Sequence, residues 1–426
     1  LQAIMALPEE FSSYTRQLMG EELFATFLRG MEEEPPASIR LNPLKCPLLQ
    51  PEESEPVPWC KGGYYLKNRP NFTFDPLLHA GYYYVQEASS MFIDRVLRQY
   101  VPSPIYMLDL CAAPGGKSTA ARAALPAGSL LVSNEPVRQR AQILSENIQK
   151  WGHPDCIVTN NYPIDFKRSK LMFDVILCDV PCSGEGMFRK NPEAIAEWSP
   201  QNVERCSQLQ REIVADAWQC LRPNGLLIYS TCTYNTKENE ENVAWFCSEL
   251  DASVLPADIC ADWNITGSLL EGFHAPVYRF IPGKTRGEGL FMAILRKPAG
   301  DTEQTHAKSM RDQIRKALKP LYDGIPEATA KGKDRIPSQA QALATSASNS
   351  DYPHVELSYG QAMQYLRREA IAIPDAPRGL VLVTFRGAPL GFAKNIGNRA
   401  NNLYPQEWKI KTTHTPKEYE TILRLA

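Results

Sequence analysis

Between residues 105 and 231, short apolar runs alternate with stretches of helical period, and this alternation limits the chain to very few architectures. Ile105–Leu110, Leu130–Asn134, Cys156–Thr159, Phe173–Asp179 and Gly225–Thr231 read as strands. Helical patterns lie between them near 117–124, 136–150 and 202–221. Strands bounded in this way form a parallel sheet with helices on both faces, and ligands of such sheets gather beyond the carboxyl ends of the strands. The chemically interesting residues fall at those ends: Cys111 to Lys117, Glu135, Asp179 to Cys182, and Ser230 to Thr233. Val277–Ile281 and Leu290–Leu295 read as an antiparallel hairpin closing the sheet.

The first of these ends reads Leu108-Asp109-Leu110-Cys111-Ala112-Ala113-Pro114-Gly115-Gly116-Lys117-Ser118-Thr119. A strand here breaks into small residues and restarts as a helix, whose free N–H groups can hold the negative end of a ligand. Gly116-Lys117-Ser118 matches the tail of a Walker phosphate loop, so a P-loop nucleotide-binding, RNA-associated protein is one reading. The Walker pattern needs a glycine where Cys111 stands, however. The other reading is the cofactor loop of an S-adenosylmethionine methyltransferase. Glu135, ending the second strand, suits that reading: a carboxylate there can accept from both hydroxyls of a cofactor ribose. Arg140, about one helical turn on, is placed to steady it, and a phosphate loop gives Glu135 no task.

Two cysteines, Cys182 in Asp179-Val180-Pro181-Cys182 and Cys232 in Ser230-Thr231-Cys232-Thr233, sit in polar turns at neighbouring strand ends. Magnesium chemistry at Asp179 would have no use for either. Methylation of a pyrimidine at C5 uses both. A thiolate adds to C6 and makes C5 nucleophilic, an acid near N3 or the exocyclic amine stabilises the adduct, and a second group assists release. Asp179 is placed to be that acid. Spacing does not say which cysteine attacks.

The remaining nine of the eleven cysteines form no CxxC pair, and no histidine cluster has zinc spacing, so no metal is expected and the thiols read as reduced. No apolar run is long enough to span a bilayer and no signal-peptide pattern is present, which reads as a cytoplasmic protein without a membrane partner. With 43% hydrophobic and 22% charged residues the composition is globular. Net charge is −2, but residues 301–426 hold 18 Lys and Arg against 13 Asp and Glu. A basic tail on an acidic body suits a grip on nucleic acid.

With these residues assembled, the chain resembles the RsmB/NOL1/NOP2/Sun-type RNA 5-methylcytosine methyltransferases, and within them the bacterial 16S ribosomal RNA branch of RsmF (YebU-like) type. LDLCAAPGGKST, DVPCSGEGMFRKNPEA and STCTYNTKENEENV carry the resemblance. LPEEF, Ser38–Asn42 and Gln86–Met91 extend it before the core, RGEGLFMA closes the core, and YLRREAI, GAPLGFAKN, NNLYP and EWKI extend it to the tail. The resemblance implies a Rossmann-like core with an N-terminal RNA-binding segment and a small β-rich, PUA-like C-terminal domain. The boundaries read as 1–100 for the N-terminal region, 101–298 for the catalytic domain, 299–350 for a connecting module and linker, and 351–426 for the PUA-like domain.

The resemblance further implies S-adenosylmethionine as cofactor, held by Cys111, Ala112, Ala113, Pro114, Gly115, Gly116, Lys117, Glu135, Arg140 and Asp179. It makes Cys232 the nucleophile, Cys182 the group assisting release, and Asp179 the third catalytic residue. The substrate implied is 16S ribosomal RNA or the small ribosomal subunit, met by a monomer. Where the family often carries an aspartate near the adenine, this chain reads Thr159-Asn160-Asn161-Tyr162, so Asn160, Asn161 or Asp165 takes that place. Arg189 and Lys190 are expected to face RNA backbone or substrate. Arg367, Arg368, Arg386, Lys394, Arg399, Lys409 and Lys411 are the tail's candidates for phosphate contact.

Overall fold

The computed structural model describes residues 7–46, 49–300, 309–331, 334–345, 351–412, 414, 416 and 419–424. The chain opens with a helix, Glu9–Glu32, broken at Gly20, whose φ of 71° leaves the helical region. Its apolar face packs Phe11 against Phe188 and Phe27 against Tyr234, each pair with ring centroids 5.0 Å apart. The helix therefore stands directly behind the two cysteine-bearing loops.

A small antiparallel sheet follows, of β1 (Ser38–Leu41), β2 (Ser54–Pro56), β3 (Gly63–Leu66) and β4 (Tyr83–Val85) in the order β2-β3-β1-β4. β2 falls inside a stretch, 47–58, heavy in Pro and Glu, that reads as loop from the sequence alone. It is only three residues long and carries a proline, so no alternating pattern marks it. After β4 the chain makes a 3₁₀ turn over Ser89–Met91 and continues as the helix Phe92–Tyr100.

The central sheet holds the alternating segment. β5 (Tyr106–Asp109), β6 (Leu130–Asn134), β7 (Cys156–Thr159), β8 (Phe173–Asp179) and β9 (Leu221–Thr231) are mutually parallel in the order β9-β8-β5-β6-β7. β10 (Ser253–Leu255) and β11 (Val277–Phe280) share the outer edge of β12 (Leu290–Arg296), which runs antiparallel to β9. Successive side chains point to opposite faces: Met107, Leu131, Val175, Leu177 and Ile228 pack on one face. Leu108, Val132, Ile176, Cys178 and Leu227 pack on the other. The strand order reverses between β5 and β8, and the crevice at such a reversal is where ligands of open parallel sheets bind.

Residues 299–350, read as connector and linker, give the sheet another strand. β13 (Pro320–Asp323) pairs antiparallel with β7, after the helix Met310–Ala317. A four-residue strand opening on proline is silent in the sequence. β14 (Thr329–Lys331) and β15 (Asp334–Ile336) form a hairpin. The end of the expected linker, 346–350, lies outside the described residues. The last sheet comprises β16 (His354–Glu356), β17 (Gly379–Phe385), β18 (Ala388–Asn395) and β19 (Ala400–Asn402), with the helix Tyr359–Leu366 against it. This sheet and the N-terminal one share an apolar core, in which Ile39, Leu41, Leu77 and Tyr83 meet Tyr365, Val381, Phe385 and Leu423.

Candidate active site

β5 ends at Asp109, and the chain turns through Leu110–Gly115 into the helix Gly116–Ala124. Gly115 caps that helix with φ of 114°, a conformation open to glycine and costly for other residues. Asp109 is fully buried, accepts from Ser118 Oγ at 2.6 Å through Oδ2, and leaves Oδ1 without a partner. Burial pushes its carboxyl up to about 7. Cys111 lines the same turn, and burial raises its thiol, so it stays neutral.

A cleft of about 190 Å³ opens over this turn, walled by Cys111 to Pro114, Gly116, Lys117 and Asp179 on one side and by Tyr84, Gln86 and Glu87 on the other. Glu135 is buried at the end of β6. Its Oε1 accepts from the Val137 N–H at 3.0 Å and lies 3.6 Å from Arg140 Nη1. Arg140 Nη2 also donates to the Ala113 carbonyl at 3.0 Å, tying the Glu135 carboxylate to the loop. Of the three candidates for the adenine contact, Asn160 donates to the Glu135 and Pro136 carbonyls at 2.8 and 2.9 Å. Asp165 Oδ2 accepts from Tyr162 N at 3.0 Å and caps its own helix. Asn161 is held through its N–H by Asn134 Oδ1, and its own Oδ1 is buried without a partner. An unpaired buried acceptor beside the Glu135 strand end is what an exocyclic amine would satisfy.

Asp179, ending β8, accepts from Lys117 Nζ at 2.9 Å on Oδ2 and from Ser230 Oγ at 2.6 Å on Oδ1. Burial works against the Lys117 charge, but Asp179 outweighs it and its ammonium titrates above the usual range. Lys117 is therefore committed to a carboxylate, where the Walker reading needs it on phosphate. The two thiols lie beside this pair: Cys182 Sγ and Cys232 Sγ are 3.1 Å apart. Their loops touch at Gly186, whose N–H donates to the Cys232 carbonyl at 2.6 Å and where a Cβ would stand 2.6 Å from that oxygen. The hydrogen bond to Cys232, then burial, raises the Cys182 thiol well above its ordinary value. Of the pair, Cys182 is therefore the thiol held protonated.

Arg40, on β1, carries a role the sequence reading missed. Though fully buried, it donates from Nε to Gln86 Oε1 at 2.9 Å and from Nη2 to Thr119 Oγ1 at 2.6 Å and the Gly116 carbonyl at 3.3 Å. It also lies 4.6 Å over the Trp151 ring. The N-terminal unit thus braces the helix that opens the cofactor loop. The available signal was a charged residue between two apolar ones in a short strand. Burial lowers its guanidinium to about 10, still charged at neutral pH.

Several of the expected RNA-facing cations are engaged within the protein. Arg189 donates to the Gly30 and Gly287 carbonyls at 2.5 and 3.0 Å, pinning the first helix to the core, and Lys190 pairs with Glu288. In the tail, Arg368 donates to the Tyr404 carbonyl and Gln406, and Arg386 lies 4.6 Å over the Tyr419 ring. Arg399 and Lys411 are exposed and Lys409 partly so. Among the described residues, no three His, Cys, Asp or Glu side chains converge as metal ligands, and no helix is long and apolar enough to cross a membrane.

A parallel sheet with this strand order, a small-residue turn after its first strand and a buried carboxylate after its second define a Rossmann-like methyltransferase. The comparisons narrow the class. The model of the 16S rRNA methyltransferase RsmB/F family matches residues 102–296. Those of the N-terminal domain of 16S rRNA methyltransferase RsmF and of the RsmF PUA domain match residues 7–88 and 352–410. The ribosomal RNA small subunit methyltransferase F of Cronobacter sakazakii is 30% identical over 95% of this chain and 96% of its own length. That of Escherichia fergusonii is 31% identical over 94% and 96%. A methyltransferase homolog from Pyrococcus horikoshii superposes with TM-score 0.59 at 25% identity, covering 69% of this chain and 96% of that one. NSun6 from Pyrococcus horikoshii, solved with SFG, shares the fold at TM-score 0.58 and 21% identity, covering 70% of this chain and all of that one. The chain belongs to the RsmF family of S-adenosylmethionine-dependent rRNA methyltransferases.

Proposed function

We propose that the protein methylates C5 of cytosine in 16S ribosomal RNA through a covalent adduct on Cys232. The observation carrying this reading is the pair of thiols 3.1 Å apart beside Asp179 at the ends of β8 and β9. Relatives named as ribosomal RNA small subunit methyltransferases support the substrate. The residues around the cofactor turn fit S-adenosylmethionine: Glu135 offers a buried carboxylate to the ribose, and Asn161 Oδ1 is an unpaired acceptor for the adenine amine. Cys111 to Lys117 would hold the methionyl end. When bound, S-adenosylmethionine supplies an electrophilic methyl group.

A cytosine in folded RNA must leave its stack to reach the thiols. Cys232, as thiolate, adds to C6. Asp179, held by Lys117 and Ser230, faces N3 and the exocyclic amine and steadies the proton that N3 takes up, leaving C5 electron-rich. Once Cys232 is bonded to carbon it no longer accepts the Cys182 hydrogen bond, and Cys182 gives up its own proton to solvent, leaving a thiolate. Cys182 then takes the C5 proton after methyl transfer, and the Cys232–C6 bond breaks with N3 returning its own proton.

The test is methyl transfer from labelled S-adenosylmethionine to 16S rRNA or small subunits lacking the modification. The label should appear as 5-methylcytidine with the native enzyme and be lost with Cys232→Ala. Full turnover by Cys232→Ala would overturn the assignment.

A further inference from the structure

Two carboxylates, Glu185 and Glu238, lie fully buried beneath the thiols and take no part in the chemistry above. Each grows from one cysteine loop and is hydrogen-bonded by the other. Glu185, three residues after Cys182, accepts through Oε2 from the N–H groups of Tyr234 at 2.6 Å and Asn235 at 3.1 Å. Its Oε1 accepts from Asn235 Nδ2 and Trp198 Nε1, both at 3.0 Å. Glu238, on the Cys232 side, accepts through Oε2 from the Ser183 N–H at 3.0 Å, the residue next to Cys182. Gln210 Nε2 donates to the same oxygen at 2.6 Å and to the Pro181 carbonyl at 2.9 Å, and Asn235 Nδ2 donates to Glu238 Oε1 at 2.8 Å. Two like-charged groups in a dry interior repel and lose hydration. Seven donor contacts, drawn mainly from the facing loops, offset that cost only while the loops stay together.

We propose that Glu185 and Glu238, bridged by Asn235, are positioning residues that strap the Cys182 loop to the Cys232 loop and so keep Cys182 within reach of C5 for the release step. This rests on the reading of Cys232 as nucleophile and Cys182 as the release group. Every hydrogen-bond partner of the Glu238 carboxylate is a donor, so Glu238→Gln keeps the volume but must turn an amide NH₂ onto a donor. Adduct formation by Cys232 should proceed near the native rate, whereas release slows at least tenfold and the enzyme–RNA adduct accumulates. Glu238→Asp, which keeps an acceptor-only group, should recover part of the release rate. Equal losses of adduct formation and release in Glu238→Gln, with no recovery in Glu238→Asp, would overturn the proposal.

A second measurement needs neither RNA nor cofactor. Diamide should cross-link Cys182 to Cys232 in the native protein, and at least tenfold more slowly in Glu238→Gln, while the exposed Cys260 reacts unchanged. Equal cross-linking rates in native and variant protein would also overturn the strap. Should the native enzyme form no adduct at all, the reading of Cys232 fails, and the cross-linking rates still decide the strap.

Discussion

At the scale of single residues, the site depends on groups whose burial and contacts leave little slack. Asp109 titrates near 7 inside the protein, against an ordinary aspartate value near 3.8, because burial disfavours its charge. A folded-state value above the unfolded one means that the native form binds the proton more tightly. This group's contribution therefore favours folding at low pH and is lost as pH rises from about 4 through 7. The stability difference between Asp109→Asn and the native protein should shift in the variant's favour by about 3 kcal/mol between pH 5 and pH 8. Thermal melts at the two pH values check this; an equal offset at both would contradict it. Gly186 is similarly constrained, since any Cβ would stand 2.6 Å from the Cys232 carbonyl. Gly186→Ala should cut turnover at least tenfold, as the Cys232 loop must shift, while costing about 1–3 kcal/mol of stability. Steady-state rates beside a denaturant melt would show it.

The two thiols and Asp179 were legible in the sequence because strand ends of a parallel sheet are predictable and cysteine is unusual in polar turns. Glu185 and Glu238 were present in the same motifs but unmarked. A carboxylate in a run such as Lys237-Glu238-Asn239-Glu240 reads as solvated, and only the donors arriving from another loop show it to be buried.

At the scale of elements, the five parallel strands were readable because each is an apolar run bounded by turn residues. β2, β10 and β13 were not, being three or four residues long and defined by their partners. The brace from β1 to the helix Gly116–Ala124 was also invisible, because no local pattern says which helix a buried arginine will meet. It has a measurable consequence. Arg40→Ala removes the donors to Gly116 and Thr119 and leaves the start of the cofactor-loop helix unsupported. S-adenosylmethionine affinity should fall at least tenfold by titration calorimetry, with Cys182–Cys232 cross-linking unaffected. Unchanged affinity would separate the N-terminal sheet from the cofactor site.

At the scale of the whole molecule, the sequence pointed to flanking units around a catalytic core. The structure adds that the first and last sheets bury one another: Tyr359 Oη donates to the Phe74 carbonyl at 3.1 Å, and Tyr419 Oη to Asp75 Oδ1 at 3.0 Å. Which apolar faces meet is a property of the assembled chain and has no local signature. Deleting residues 351–426 should therefore lower the melting temperature of the remainder by about 5 °C or more, since Ile39, Leu41 and Tyr83 lose cover. A truncated chain melting like the full one would mean that the two sheets fold independently.

The central claim is that the paired thiols divide attack and release between them. Cys182→Ala, incubated with S-adenosylmethionine and unmodified 16S rRNA and run on a denaturing gel, tests it most directly. A protein–RNA band should persist in Cys182→Ala and disappear in the Cys182→Ala/Cys232→Ala double variant. A band surviving in the double variant, or none in Cys182→Ala while it turns over at the native rate, would contradict it.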